Sequence, residues 1–214
     1  MIAFDFDGAS ASSCAITGAR NFTVLVTPEH APPINPSPWY AFRYESKAGA
    51  PISVTLRYLV GRHRYAPKLY AGSGWSEVPI VLHDDGAAAT MQLPPGKATV
   101  SAQELVTTAD HHADLRRWRN AAGARLLTLG QSHDGRPIEA VRLGHADAPR
   151  LVILLGRQHP PEVTGAIAMQ AFVDELVAIL GREPALGVDT QFVIVPLLNP
   201  DGVARGHWRA NRGA

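Results

Sequence analysis

The sequence contains one cysteine, Cys14. An intramolecular disulfide is excluded, and so is a thiolate metal cluster; a reducing compartment is the simplest setting. Charge is scarce and balanced. Charged residues make up 18% of the chain and the formal net charge is +1. That leaves no electrostatic footprint for nucleic acid or for an anionic membrane. Unbroken apolar runs are short, and none reaches the roughly 18–20 residues needed to cross a bilayer. The opening MIAFDFDGASASSC lacks a basic segment followed by a long apolar one, so no secretory signal is read there. Without one, the Asn21-Phe22-Thr23 sequon carries no weight. The expected location is cytoplasmic.

Apolar residues are not scarce. They form 46% of 214 residues, enough for one large domain or two modest ones. Residues 1–106 read as all-β. Short runs rich in β-branched and aromatic residues recur at Phe22–Val26, Trp39–Tyr44, Ile52–Val60 and Val78–Leu82, separated by turn-forming segments. Alternation from Ser53 to Tyr58 suits a half-buried strand. Many short strands at this spacing predict a β-sandwich or a barrel.

The pattern changes near Thr107. A short amphipathic helix is expected, with Asp110 as its N-cap, Leu115 and Trp118 on one face and Gly123 beyond its end. Two strands follow, Arg125–Gly130 and Ile138–Gly144, joined by a turn at Asp134-Gly135. Leu151–Leu155 is apolar at both parities, which predicts a strand buried on both faces. A helix from about Glu162 to Leu180 and a strand over Thr190–Leu198 complete a βαβ unit. The second region, residues 107–214, is therefore α/β.

His159 and Glu162 lie just beyond the strand that ends at Leu155, where open α/β sheets gather their ligands. Pro160 and Pro161 fix φ and stiffen the arc between them, and Pro161 suits the first turn of a helix. An imidazole and a carboxylate suit zinc. The competing reading is a loop histidine beside a glutamate that favours a helix N-terminus.

Three segments in consistent order, covering about residues 109–214, together resemble the zinc metallocarboxypeptidase family. The family's early hairpin reads G-x-S-x-x-G-R-P-I, here Gly130, Ser132, Gly135, Arg136, Pro137 and Ile138. Its H-x-x-E zinc ligands match His159 and Glu162, and its N-P-D-G turn matches Asn199 to Gly202. An arginine shortly after that turn stabilises the oxyanion in the family; Arg209 stands there. A β-region ahead of the α/β region, with PWYAF inside it, resembles the cytosolic carboxypeptidase branch, which includes enzymes that trim glutamates. The resemblance implies an α/β fold with an all-β N-terminal domain: a β-sandwich, then the N-terminal half of a carboxypeptidase-like mixed-sheet domain. It implies a zinc-dependent hydrolase acting on a peptide or protein C-terminus, glutamate among the residues removed.

The ligand set is short by one. A catalytic zinc site of this type uses a third protein ligand and a general base. The family places both well downstream, beyond an Asp-x-Asn-Arg segment that binds the substrate carboxylate. Asn211-Arg212 begins too soon after Arg209 to be that segment. His207 occupies a position the family does not use for metal, His111 and His112 read as a wet helix end, and His83, His133 and His145 as turn or loop residues. The expectation is one Zn2+ whose third ligand lies outside this chain, in an N-terminal portion that is inactive alone. The strand at Leu151–Gly156 is then left with one unpaired edge, open to self-association. Two other functions stay open: a catalytically inactive binding module, and a zinc amidohydrolase acting on small N-acyl amino acids.

Overall fold

A computed structural model describes residues 1–10, 13–31, 38–46, 49–121 and 123–211. Contacts divide them into two compact units. One is Met1–Leu105 with Ala204–Ala210; the other is Val106–Val203 with Asn211.

The first unit is built from strands β1 (Ile2–Ala3), β2 (Ser13–Gly18), β3 (Asn21–Val26), β4 (Ala41–Ser46), β5 (Ile52–Tyr58), β6 (Lys68–Tyr70), β7 (Trp75–Glu77), β8 (Ile80–His83), β9 (Ala88–Leu93) and β10 (Gly96–Ser101). They form two five-stranded sheets, ordered β1-β4-β10-β6-β7 and β2-β3-β5-β9-β8. Every pairing is antiparallel except β3 with β5. Period-two burial is clearest in β5, where Ile52, Val54, Leu56 and Tyr58 point inward. Phe42 and Val100 from one sheet, and Val24, Val54, Leu56 and Met91 from the other, supply fully buried core side chains. Burying each contributes about 1.5–3 kcal/mol.

The second unit opens with α1 (Thr108–Trp118). Its N-cap is Thr107 and not Asp110. Asp110 sits at the third helical position and closes a capping box, its carboxylate accepting from the Thr107 amide at 2.7 Å. The strands are β11 (Arg125–Gln131), β12 (Pro137–Leu143), β13 (Arg150–Leu155) and β14 (Thr190–Val195), and the remaining helices α2 (Val163–Arg182), α3 (Pro184–Asp189) and α4 (Pro200–Ala204). The sheet order is β11-β12-β14-β13. β11/β12 and β12/β14 are antiparallel, and β13/β14 is parallel, as a βαβ crossover requires. The helix read as ending at Leu180 continues through Gly181 to Arg182. Pro184 then starts α3, which the sequence reading did not separate because proline is tolerated in a helix's first turn.

One core cluster joins Leu115 and Trp118 of α1, Val173 and Leu176 of α2, Val141 and Leu143 of β12, and Phe192 and Ile194 of β14. Leu154 packs against the same cluster. The helices are further tied by Asp174, which accepts from Trp118 Nε1 at 2.7 Å and from Arg117 at 2.8 Å.

The expectation that Leu151–Leu155 is buried on both faces is corrected. β13 is an edge strand, and Leu151, Ile153 and Leu155 are each more than half exposed. Their side chains lie opposite Leu154, on the face away from the α1–α2 cluster, and no described residue covers them. No unbroken apolar run reaches the length of a membrane span, but one helix is long and apolar enough by length and mean hydropathy. That helix is α2, although its buried side chains pack into the core cluster.

Candidate metal centre

The site begins where β13 ends. Gly156 follows the strand, and a Cβ there would meet the Pro196 carbonyl at 2.8 Å and Met169 Sδ at 3.0 Å. Only glycine lets the backbone pass so close. Arg157 comes next with φ 47°, a left-handed conformation costly for a long side chain. What holds it is its own buried guanidinium. Nη1 donates to the Val106 carbonyl at 3.1 Å, and Nη2 donates to the Pro160 carbonyl at 2.5 Å. The side chain thus ties together the arc that it begins.

Pro160 and Pro161 are buried at the centre of a turn in which the Glu162 amide donates to the His159 carbonyl at 3.3 Å. Pro161 therefore precedes the helix and is not its first residue; α2 starts at Val163 with Glu162 as N-cap. Glu162 makes no side-chain capping bond. Its Oε1 lies 2.8 Å from His159 Nδ1. Glu162 is thus paired with His159 and not spent on the helix end.

This donor set fits a metal in part. Two zinc ligands at about 2.0–2.2 Å and tetrahedral angles stand roughly 3.3 Å apart. The His159–Glu162 pair needs only a small opening to reach that separation. Among the described residues no group of three His, Cys, Asp or Glu side chains is assembled to hold a metal ion.

The other two motifs of the second unit converge on this arc. Asp201, fully buried, accepts from Ser132 Oγ at 2.7 Å, from Arg136 Nη1 at 2.7 Å and from the Asp134 amide at 3.0 Å. Burial pushes its carboxyl up, but these hydrogen bonds outweigh burial and hold it below the usual carboxylate range. The turn bearing Asp201 reaches the start of the His159–Glu162 arc. Leu198 N donates to Gly156 O at 3.0 Å, Asn199 N to Arg157 O at 3.1 Å, and Asn199 Nδ2 to Gln158 O at 3.4 Å. The hairpin, the turn and the arc form one hydrogen-bonded assembly.

The histidines sort differently from expectation. His111 is buried, not wet, and its Nε2 faces Arg157 Nη1 at 3.4 Å. Burial, then the Arg157 charge, lowers its pKa to about 4, so it stays neutral. His112 Nδ1 lies 2.8 Å from Glu139 Oε2. His83, at the end of β8, pairs with Thr90 Oγ1 at 3.1 Å. His207 Nδ1 meets the Ala210 carbonyl at 3.2 Å, closing a local loop. Arg209 belongs to the first unit and its side chain is exposed. Arg212 lies outside the described residues. Sequence reasoning missed Arg157 and Glu29. Arg157 carried one usable signal, a lone charge between a buried strand end and His159.

The histidine–carboxylate pair thus lies beyond a strand terminus, where open α/β sheets gather their ligands. Residues 114–214, a little under half of the chain, match the family described as zinc carboxypeptidase. Human cytosolic carboxypeptidase 6 is 31% identical over 111 residues, covering 49% of this chain and 22% of that protein. A protein named inactive metallocarboxypeptidase ecm14, from Talaromyces stipitatus, is 35% identical over 106 residues, covering 42% of this chain and 18% of its own length. A metallo-carboxypeptidase from Burkholderia cenocepacia superposes with a TM-score of 0.82 at 21% identity, over 99% of this chain and 59% of that one. That likeness of fold extends through the β-rich first unit. The chain thus spans a quarter or less of these curated relatives and under two thirds of the similar solved chain.

Proposed function

We propose that this chain is the N-terminal portion of a zinc-dependent metallocarboxypeptidase that removes residues, glutamate among them, from peptide or protein C-termini. The observation that carries the reading is the convergence of the hairpin, the Asn199–Gly202 turn and the His159–Glu162 arc into one assembly. Such an investment in positioning two donors fits a metal centre better than a surface loop. In this reading residues 1–106 are a β-sandwich domain, and residues 107–214 begin the catalytic domain. The relatives named cytosolic carboxypeptidases support a cytoplasmic location.

His159 Nδ1 and Glu162 would hold one Zn2+, with the third ligand and the general base supplied from outside residues 1–214. When bound, the ion would polarise the scissile carbonyl and activate a water. Arg157 and the two prolines keep the donors in register. Arg209 offers a permanent positive charge for the developing oxyanion, worth about 10²–10³ in rate where such a donor is removed.

The test is hydrolysis by the full-length gene product. Single residues should be released from peptides with a free terminal carboxylate, not from C-terminally amidated ones, and chelation should stop the release. The 214-residue chain alone should show none. A stable 214-residue chain that cleaves C-terminal bonds would sink the division of the site. A full-length product that binds C-termini without cleaving them would favour a binding module, a reading that the inactive relative keeps in play.

A further inference from the structure

The first unit contains a feature that the metal site does not explain. Glu29, in the loop after β3, turns one carboxylate oxygen toward three successive backbone amides. Oε1 accepts from Trp208 N at 2.9 Å, Arg209 N at 2.8 Å and Ala210 N at 3.4 Å. Such charge-assisted bonds contribute more than neutral ones. Three donors on one oxygen define the direction of the chain as well as its place.

The same segment is braced further on its N-terminal side. The Ala204 carbonyl accepts from the Gly8 amide at 3.0 Å. Gly206 has φ +60°, and a Cβ there would meet Ser10 N at 2.6 Å and Ala9 C at 2.7 Å. The Trp208 ring lies tilted against Tyr65 with centroids 6.2 Å apart, and the Arg64 guanidinium carbon lies 5.5 Å over it. Arg209, in the middle of this braced stretch, is exposed. Its root is held, and no partner for its charge stands among the described residues.

We propose that Glu29 is a positioning residue for Arg209. Glu29 thereby fixes the backbone from which Arg209 projects. This inference rests on the role given to Arg209 above. A guanidinium acts on a developing charge only when correctly placed, and a shift of about 1 Å can cost about 100-fold in rate.

Two measurements test it. Amide hydrogen exchange on the 214-residue chain should show Trp208, Arg209 and Ala210 exchanging at least about tenfold faster in Glu29→Ala, with β5 and β9 unchanged. Glu29→Gln keeps an acceptor oxygen and should restore most of the protection. In the full-length product, Glu29→Ala should lower kcat with KM little changed, and Glu29→Gln should recover much of it. Glu29→Ala combined with Arg209→Ala should be no slower than Arg209→Ala alone. Unchanged exchange at the three amides overturns the proposal, and so do losses in the two single variants that multiply. A full-length product without hydrolysis counts against the peptidase reading, while the exchange result still decides whether Glu29 fixes the segment.

Discussion

Arg136 and Asp201 meet at 2.7 Å across 65 residues of sequence, and the carboxylate at that contact is almost wholly buried. The pair explains why a hairpin and a distant turn occur together in one sequence pattern. Asp201 is the pin, and Ser132, Asp134 and Arg136 are the socket.

Replacing Asp201 with alanine should be costly. It leaves the Arg136 guanidinium and the Ser132 hydroxyl without their buried acceptor and frees the turn that holds the arc at Gly156–Gln158. A loss of about 3 kcal/mol is expected. Urea unfolding, read as a lower midpoint at unchanged slope, measures it. A loss under about 0.5 kcal/mol would show that the assembly is ornamental.

Arg157 should behave as a strut. Arg157→Ala leaves the Val106 and Pro160 carbonyls without their donor and removes what holds the left-handed backbone. A destabilisation of about 2–4 kcal/mol is expected. Zinc affinity of the full-length product should fall about 10–100-fold, since the arc then presents its ligands loosely. Calorimetric zinc titration checks the second effect separately from the first.

Zinc titration of the 214-residue chain against a chromophoric chelator tests the two-ligand reading. Binding should be weak and should vanish in His159→Ala and in Glu162→Gln. Both residues are partly exposed, so folding stability should change little. Tight stoichiometric zinc that survives either substitution would contradict the assignment.

Acid should destabilise the second unit through His111. Its folded pKa, about 4, lies below the unfolded value near 6.5. The unfolded chain therefore binds the proton first as pH falls, and stability contributed by the neutral imidazole is lost between about pH 6.5 and 4. The full effect is about 3 kcal/mol. His111→Gln should flatten the slope of stability against pH in that window; an unchanged slope would show that His111 is not its source.

The exposed edge of β13 should associate. Leu151, Ile153 and Leu155 offer apolar side chains beside unpaired backbone donors and acceptors. Sedimentation velocity of the 214-residue chain should show concentration-dependent oligomers, reduced by Ile153→Lys. Monomeric behaviour at high concentration in both would dispose of this expectation.

Sequence alone determined the order of elements and the chemistry available. Alternation revealed β5, apolar periodicity placed Leu115 and Trp118 on one face of α1, and Gly156-to-Glu162 read as a strand end carrying two metal-type donors. Those signals are local, because period and turn chemistry act over a few residues. Tertiary structure decided what depends on distant partners. Leu151–Leu155 has the composition of a doubly covered strand, and its open edge was expected, yet one face is also left open among the described residues. His111 looked wet until Arg157, 46 residues away, was found against it. Glu29 gave no signal at all, since its partners are the amides of residues 180 positions further on. Backbone donors leave no mark in a sequence, and only the fold can say which carboxylate they meet.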